Sequence, residues 1–190
     1  MNKRDAHILE SALAVFARYG TRKTTMNDIA QEAGVARQTL YNAYASKDDV
    51  LRAAVRYYAE MTYSTVTEAW GASQSIEQKL DRFFECVPLK WYDAVQDAPD
   101  AADLIDGIHK TAGEELKSVG EKWKATLADL FKEHAPQTSV RSPGHTEIAE
   151  YFYSTALNAK YSADTRQVLE VRLQILKAST LALLDLSRSV

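Results

Sequence analysis

Between Asp5 and Tyr19 the apolar residues Ile8, Leu9, Ala12, Val15, Phe16 and Tyr19 recur every three or four positions, which lays one apolar stripe along a helix. Gly20 stands where that helix is expected to stop. Thr25 followed by Asp28 forms a capping box for a short helix from Met26 to Ala33, and Gly34 allows a tight turn that Val35 plugs. A second short helix spans about Arg37 to Tyr44, and Ser46 with Asp49 opens a longer one from Lys47 to Ala69. Further on, Ser75 with Gln78 starts a helix through Phe83, Phe84 and Val87, where Pro88 must kink or end it. Helices from Asp100 to near Ile108, Glu114 to His134, Thr146 to Lys160 and Thr165 to Arg188 complete the pattern. An exposed loop is expected at Ala135 to Gly144. The reading is an all-α chain of about nine helices.

Seven glycines and four prolines among 190 residues agree with helix throughout, and the mean hydropathy of -0.34 leaves no apolar run long enough to span a bilayer. The first residues lack the apolar core of a secretory signal, so a cytoplasmic location is expected. One cysteine, Cys86, closes no disulfide within the chain, and four scattered histidines give no zinc framework; neither metal nor other cofactor is expected. Net charge is uneven, with nine Lys+Arg against seven Asp+Glu over residues 1–60 and fourteen against nineteen thereafter. A positive front end suits a polyanion.

The segment from Thr25 to Lys47 carries the chemistry. Two short helices joined at a glycine turn make a helix-turn-helix. In the second of them Leu40 and Tyr44 share an inward face, leaving Arg37, Gln38, Tyr41 and Asn42 outside. Arginine forks onto guanine, glutamine and asparagine onto adenine, and tyrosine reaches a phosphate. Thr25 and Lys47 begin the flanking helices, where free amides and a cation would grip the backbone.

Those residues, with Ile8-Leu9, Phe16, Gly20, Thr24-Thr25, Asp28-Ile29-Ala30, Ala33-Gly34-Val35, Thr39-Leu40-Tyr41 and Ser46-Lys47, make residues 8–55 resemble the DNA-binding domain of TetR-family transcriptional repressors. The resemblance implies DNA contacts at Thr25, Gln38, Tyr41 and Lys47, with Arg37 and Thr39 beside them. Ala36 departs from the serine cap common in relatives, and Ala43-Tyr44 from a usual aromatic pairing, which removes a phosphate contact. It also implies a domain division of 1–46 for DNA binding, 47–70 as connecting helix and 71–190 for ligand binding and dimerisation. The last two helices would form a four-helix bundle in a homodimer. Ile148, Tyr151, Phe152, Thr155 and Ala159 form one stripe for it, and Val168, Arg172, Ile175, Ser179, Ala182 and Leu186 another. Such a dimer would bind a pseudo-palindromic double-stranded operator and respond to a small-molecule effector.

For the effector the candidate walls are the rear aromatics Trp70, Phe83, Phe84, Trp91, Tyr92 and Trp123, set against ordinary core packing. Asp97, Asp100, Asp103 and Asp106, three apart, read as a solvated face rather than a cation site, His109 as a surface or packing residue, and Cys86 as a buried inert thiol. No P-loop, nucleophile elbow or paired Glu-x-x-His motif supports an enzyme. The expectation is a ligand-responsive repressor and not an enzyme, with a helical protein-binding adaptor as the alternative and an enzyme housed in the rear helices ranked behind it.

Overall fold

Asn2 accepts a hydrogen bond from the Asp5 amide at 2.8 Å and so caps the first helix, α1, Lys3–Lys23. This computed structural model describes residues 2–71, 74–133 and 143–185. The expected stop at Gly20 is a break inside α1: Gly20 takes φ 76 and ψ 173, and one more turn follows it. Thr24 returns its hydroxyl to the Gly20 carbonyl at 2.6 Å, closing that turn. Helices α2 (Met26–Glu32), α3 (Arg37–Ala43) and α4 (Lys47–Ala69) follow, with Gly34 at φ 61 between α2 and α3.

Next come α5 (Ile76–Phe84) and α6 (Lys90–Gln96), joined through a π turn, Glu85–Leu89, that keeps helical dihedrals at both junctions. Pro88 therefore does not end the helix. It has no N–H to donate, and the widened turn, in which the Lys90 amide reaches back to the Glu85 carbonyl, accommodates its ring. Helices α7 (Ala101–Thr111), α8 (Gly113–Lys132), α9 (His145–Ser162) and α10 (Arg166–Asp185) complete the chain. With α5 and α6 counted as one rod, the described residues form nine helices and no strand. The expected loop falls mostly on residues 134–142 and the expected end of α10 on 186–190, both outside the described residues.

The described residues fall into two compact units. The first takes in residues 1–61 and 94–119, the second 62–93 and 120–190. A division of the sequence at residues 46 and 70 does not anticipate that α7 joins the helix-turn-helix.

In the first unit α1 packs on α2 and on α7, and Ile8, Leu9, Ala12, Val15, Phe16, Ile29, Leu40, Val50 and Leu51 are buried. Arg18 of α1 also donates to Glu32 at the end of α2, at 3.1 Å. In the second unit α10 packs on α9 and α5, over a core of Phe83, Phe84, Trp123, Leu127, Phe131, Ile148, Phe152, Leu169 and Leu173. Among the described residues no helix is long and apolar enough to cross a membrane.

Candidate nucleic-acid interface

Helix α3 is seven residues long and buries Leu40 alone, so its remaining surface is free to face a ligand. Arg37, Gln38, Tyr41 and Asn42 are all exposed, and Thr39 is partly so. They are paired along the helix at the i, i+4 spacing. The Gln38 amide donates to Asn42 Oδ1 at 2.9 Å, while the Arg37 guanidinium lies 5.3 Å from the Tyr41 ring centroid and donates to its hydroxyl at 3.4 Å. These pairs lie on the exposed surface of α3.

Thr25 is exposed at the start of α2 and fully engaged in its cap. Its amide donates to Asp28 Oδ2 at 2.8 Å, its hydroxyl donates to the same oxygen at 2.7 Å, and the Asp28 amide donates back to that hydroxyl at 3.2 Å. The Thr25 hydroxyl and amide hold the Asp28 carboxyl below the usual carboxylate range. Ala36 occupies the cap position of α3 with no side-chain bond, which matches the departure seen in the sequence.

Lys47 is not a free cation. Its ammonium donates to the Thr21 carbonyl at 2.6 Å and the Arg22 carbonyl at 3.3 Å, tying the start of α4 to the last turn of α1. Ser46 and Asp49 bond each other beside it, the hydroxyl donating at 2.7 Å.

The same turn of α1 is held from its other side by Asp103, a residue that sequence reasoning assigned to a solvated acidic face. That reading is corrected: Asp103 is 6% exposed. Its carboxylate accepts from the Arg22 amide at 3.0 Å, from the Thr21 hydroxyl at 3.3 Å, and from the Arg22 guanidinium. The Arg22 amide, then its guanidinium, hold the Asp103 carboxyl below its ordinary range against the opposing effect of burial. Two glycines make room, since a side chain at Gly20 would run into the Asp103 carboxylate and one at Gly107 into Thr21. Those glycines, one on each helix, were the signal available in the sequence.

The rear candidates lie in the second unit and separate into two groups. Trp70, Phe83, Phe84 and Trp123 belong to one ring cluster: Phe83 lies 5.0 Å from Trp123 and 5.6 Å from Phe152, Trp70 lies 6.2 Å from Trp123, and Phe84 stacks on Phe152 at 5.3 Å. Trp70 also donates its indole N–H to the Lys79 carbonyl at 2.9 Å. Trp91 stands apart, edge-on to Tyr161 at 4.8 Å, and Tyr92 is buried. Cys86 is half-buried in the π turn rather than enclosed.

The expected dimer stripes also separate. Ile148 and Phe152 are buried in their own unit, because the α9 face that carries them packs on the aromatic core. Tyr151 is exposed and Thr155 half-exposed, and both border an open cleft along the outside of α9. On α10, Val168, Arg172, Ile175 and Ser179 are exposed, joined by Val171, which the sequence reading passed over; Leu186 lies outside the described residues.

Comparisons agree with this front site. Residues 8–54 match the model for bacterial regulatory proteins of the tetR family. An uncharacterised HTH-type transcriptional regulator of Bacillus subtilis, YezE, is 34% identical over 80 residues, which is 42% of this chain and 41% of the relative. The HTH-type transcriptional repressor KstR2 of Mycobacterium tuberculosis is 30% identical over 84 residues, 44% of this chain and 42% of the relative. The matches thus span about two fifths of these relatives.

A transcriptional regulator from Cytophaga hutchinsonii superposes with a TM-score of 0.72 at 16% identity, over 92% of this chain and 95% of that one. The fatty acid degradation regulator FadR of Bacillus halodurans gives 0.66 at 16% identity, over 93% and 96%. At such identities the likeness shows a shared fold. In its amino-terminal helix-turn-helix, residues 8–54, this chain is similar to the tetR family of bacterial regulatory proteins.

Proposed function

We propose that this protein is a ligand-responsive transcriptional repressor that binds a pseudo-palindromic DNA operator as a homodimer and is released by a small-molecule effector. The observation that carries the reading is the outer edge of α3, where Arg37, Gln38, Tyr41 and Asn42 stand exposed on a helix that buries only Leu40. Side chains so placed serve no packing purpose, and their donors and acceptors match the edges of bases in a major groove. Thr25, Thr39 and Lys47 flank them in positions suited to phosphates. KstR2, the repressor named above, supports repression in particular.

A homodimer is supported by the apolar residues left outside on α10, where Val168, Val171 and Ile175 are 36%, 54% and 61% exposed, one and two turns apart. With Tyr151 of α9 they offer a strip that a second copy would cover by helix-on-helix packing. Two copies would set two α3 helices at about 34–36 Å, one turn of duplex apart.

The test is selection of bound fragments from genomic DNA, followed by anisotropy on the enriched duplex. The expected result is an inverted repeat bound with a steep loss of affinity as salt rises. Gln38→Ala should relax preference at one base position of each half-site. No association with any duplex at low salt would favour the adaptor reading instead.

A further inference from the structure

Lys160 is a cation on the wrong side of its helix. It shares the inward stripe of α9 with Tyr153 and Ala156, and it is 8% exposed. Its ammonium lies 4.1 Å from the centroid of the Trp91 ring and 4.9 Å from that of Tyr161. The two rings meet edge to face at 4.8 Å, so the ammonium lies against two aromatic side chains that also touch each other. Tyr161 is 42% exposed, so one of the two rings beside the buried lysine reaches solvent.

Among the described residues no carboxylate pairs with Lys160, although other cations of the same unit are paired. Arg166 holds Asp93 at 2.9 Å, and Lys177 holds Asp81 at 2.6 Å. Ring faces attract an ammonium through their quadrupoles but do not neutralise its charge as a carboxylate would. Burial, with no neighbouring charge to offset it, brings the Lys160 ammonium down to about 7. An amine brought to about 7 is part neutral near neutral pH, and a carboxylate arriving beside it would restore its charge by pairing with it.

We propose that Lys160, walled by Trp91 and Tyr161, is the anchor of a binding site for an apolar monocarboxylate. The inference rests on the reading that the rear half of the chain receives an effector, and it names the chemical class of that effector. The single ammonium matches one carboxylate. A phosphate dianion would leave its hydration shell for two aromatic walls and one donor group, which do not replace it. A cationic ligand would meet the positive charge already there. The ring walls suit the apolar body that a carboxylate brings with it.

Calorimetric titration of the full-length chain with octanoate and 4-phenylbutyrate, each beside its uncharged amide, tests the site without DNA. At least one carboxylate should bind with Kd below about 1 mM and at least tenfold more tightly than its amide. Lys160→Met, which keeps the apolar stem and removes the buried charge, should erase that preference, and Lys160→Gln serves as a second variant. The proposal is overturned if neither carboxylate outbinds its amide, or if both variants keep the preference. Repeating the titration with an enriched duplex present separates the two readings. Carboxylate binding that leaves DNA affinity unchanged upholds the site and removes its role as effector site; release of DNA that both variants abolish upholds both. DNA binding without any carboxylate preference overturns the site alone.

Discussion

In the first unit the residues proposed to meet DNA are those the fold does not use: Arg37, Gln38, Tyr41 and Asn42 are exposed, and Leu40 alone secures α3 inward. In the second unit the residues expected to meet a small molecule are among the most heavily used, with Phe83, Phe84 and Trp123 at 0%, 2% and 2% exposure inside one ring cluster. A groove reader sits on a surface, so its recognition edge and its packing edge are different faces of one helix. A pocket is lined by the same apolar residues that hold the helices together, and function and stability then share side chains.

The largest expected effect follows directly. Phe83→Ala should cost about 3–5 kcal/mol of stability, read by calorimetric unfolding, because it empties the centre of the cluster that joins Trp123, Phe84 and Phe152. Arg37→Ala should change stability by no more than about 0.5 kcal/mol while weakening DNA binding. If Arg37→Ala destabilised the chain as much as Phe83→Ala, the separation between the two regions would be false.

The same contrast explains what was legible in the sequence. Helix periods, the capping box at Thr25, the glycine turn at Gly34 and the uncapped Ala36 are local features, and the structure shows each where the pattern puts it. Asp103 is not legible from the sequence, because spacing within α7 gives no information about which helix lies against it; only the fold brings it to Thr21 and Arg22, some 80 residues earlier. Ile148 and Phe152 were grouped with Tyr151 and Thr155 because adjacent apolar positions on a helix buried along much of one side do not declare which edge faces the core and which a partner. The burial of Lys160 is hidden in the sequence for a similar reason: a lysine near a helix end ordinarily extends into water.

Asp103→Ala is the next largest effect. It strips the Arg22 amide of its acceptor and leaves the Thr21 hydroxyl only the Asp103 backbone carbonyl at 3.2 Å, and it should cost about 2–3 kcal/mol, with the loss confined to the first unit in hydrogen exchange. The pH dependence has a definite sign. A carboxyl held below its usual value in the folded state stabilises the fold at and above the ordinary carboxylate range, and that contribution fades as pH falls below the ordinary aspartate value of 3.8. Wild type should therefore lose more stability than Asp103→Ala on acidification through that window. Parallel curves would show that the carboxylate charge is not what holds α7 to α1.

Lys47 blurs the clean division of the front region, since it is both a candidate phosphate contact and a tie between α4 and the end of α1. Lys47→Ala should weaken all duplexes alike and reduce the salt slope by about 1. It should also cost about 1 kcal/mol of stability through the two carbonyls it leaves behind. An unchanged salt slope with the stability loss intact would make Lys47 a structural residue only.

The smallest effect probes the reading helix by itself. Ala36 starts α3 with extended backbone, φ -63 and ψ 141, and its side chain accepts nothing from the first turn. A serine hydroxyl there would reach the Thr39 amide region and add about 0.5–1 kcal/mol, a gain visible as a modest rise in unfolding temperature. Because Ala36 is exposed and precedes the residues of the recognition edge, Ala36→Ser should leave base preference unchanged. It should tighten every duplex by a similar factor if the uncapped end lets α3 fray in the free protein. Added stability with no change in affinity would mean instead that α3 is already fully formed before it meets DNA, and that the paired forks of Arg37 with Tyr41 and Gln38 with Asn42 suffice to hold it.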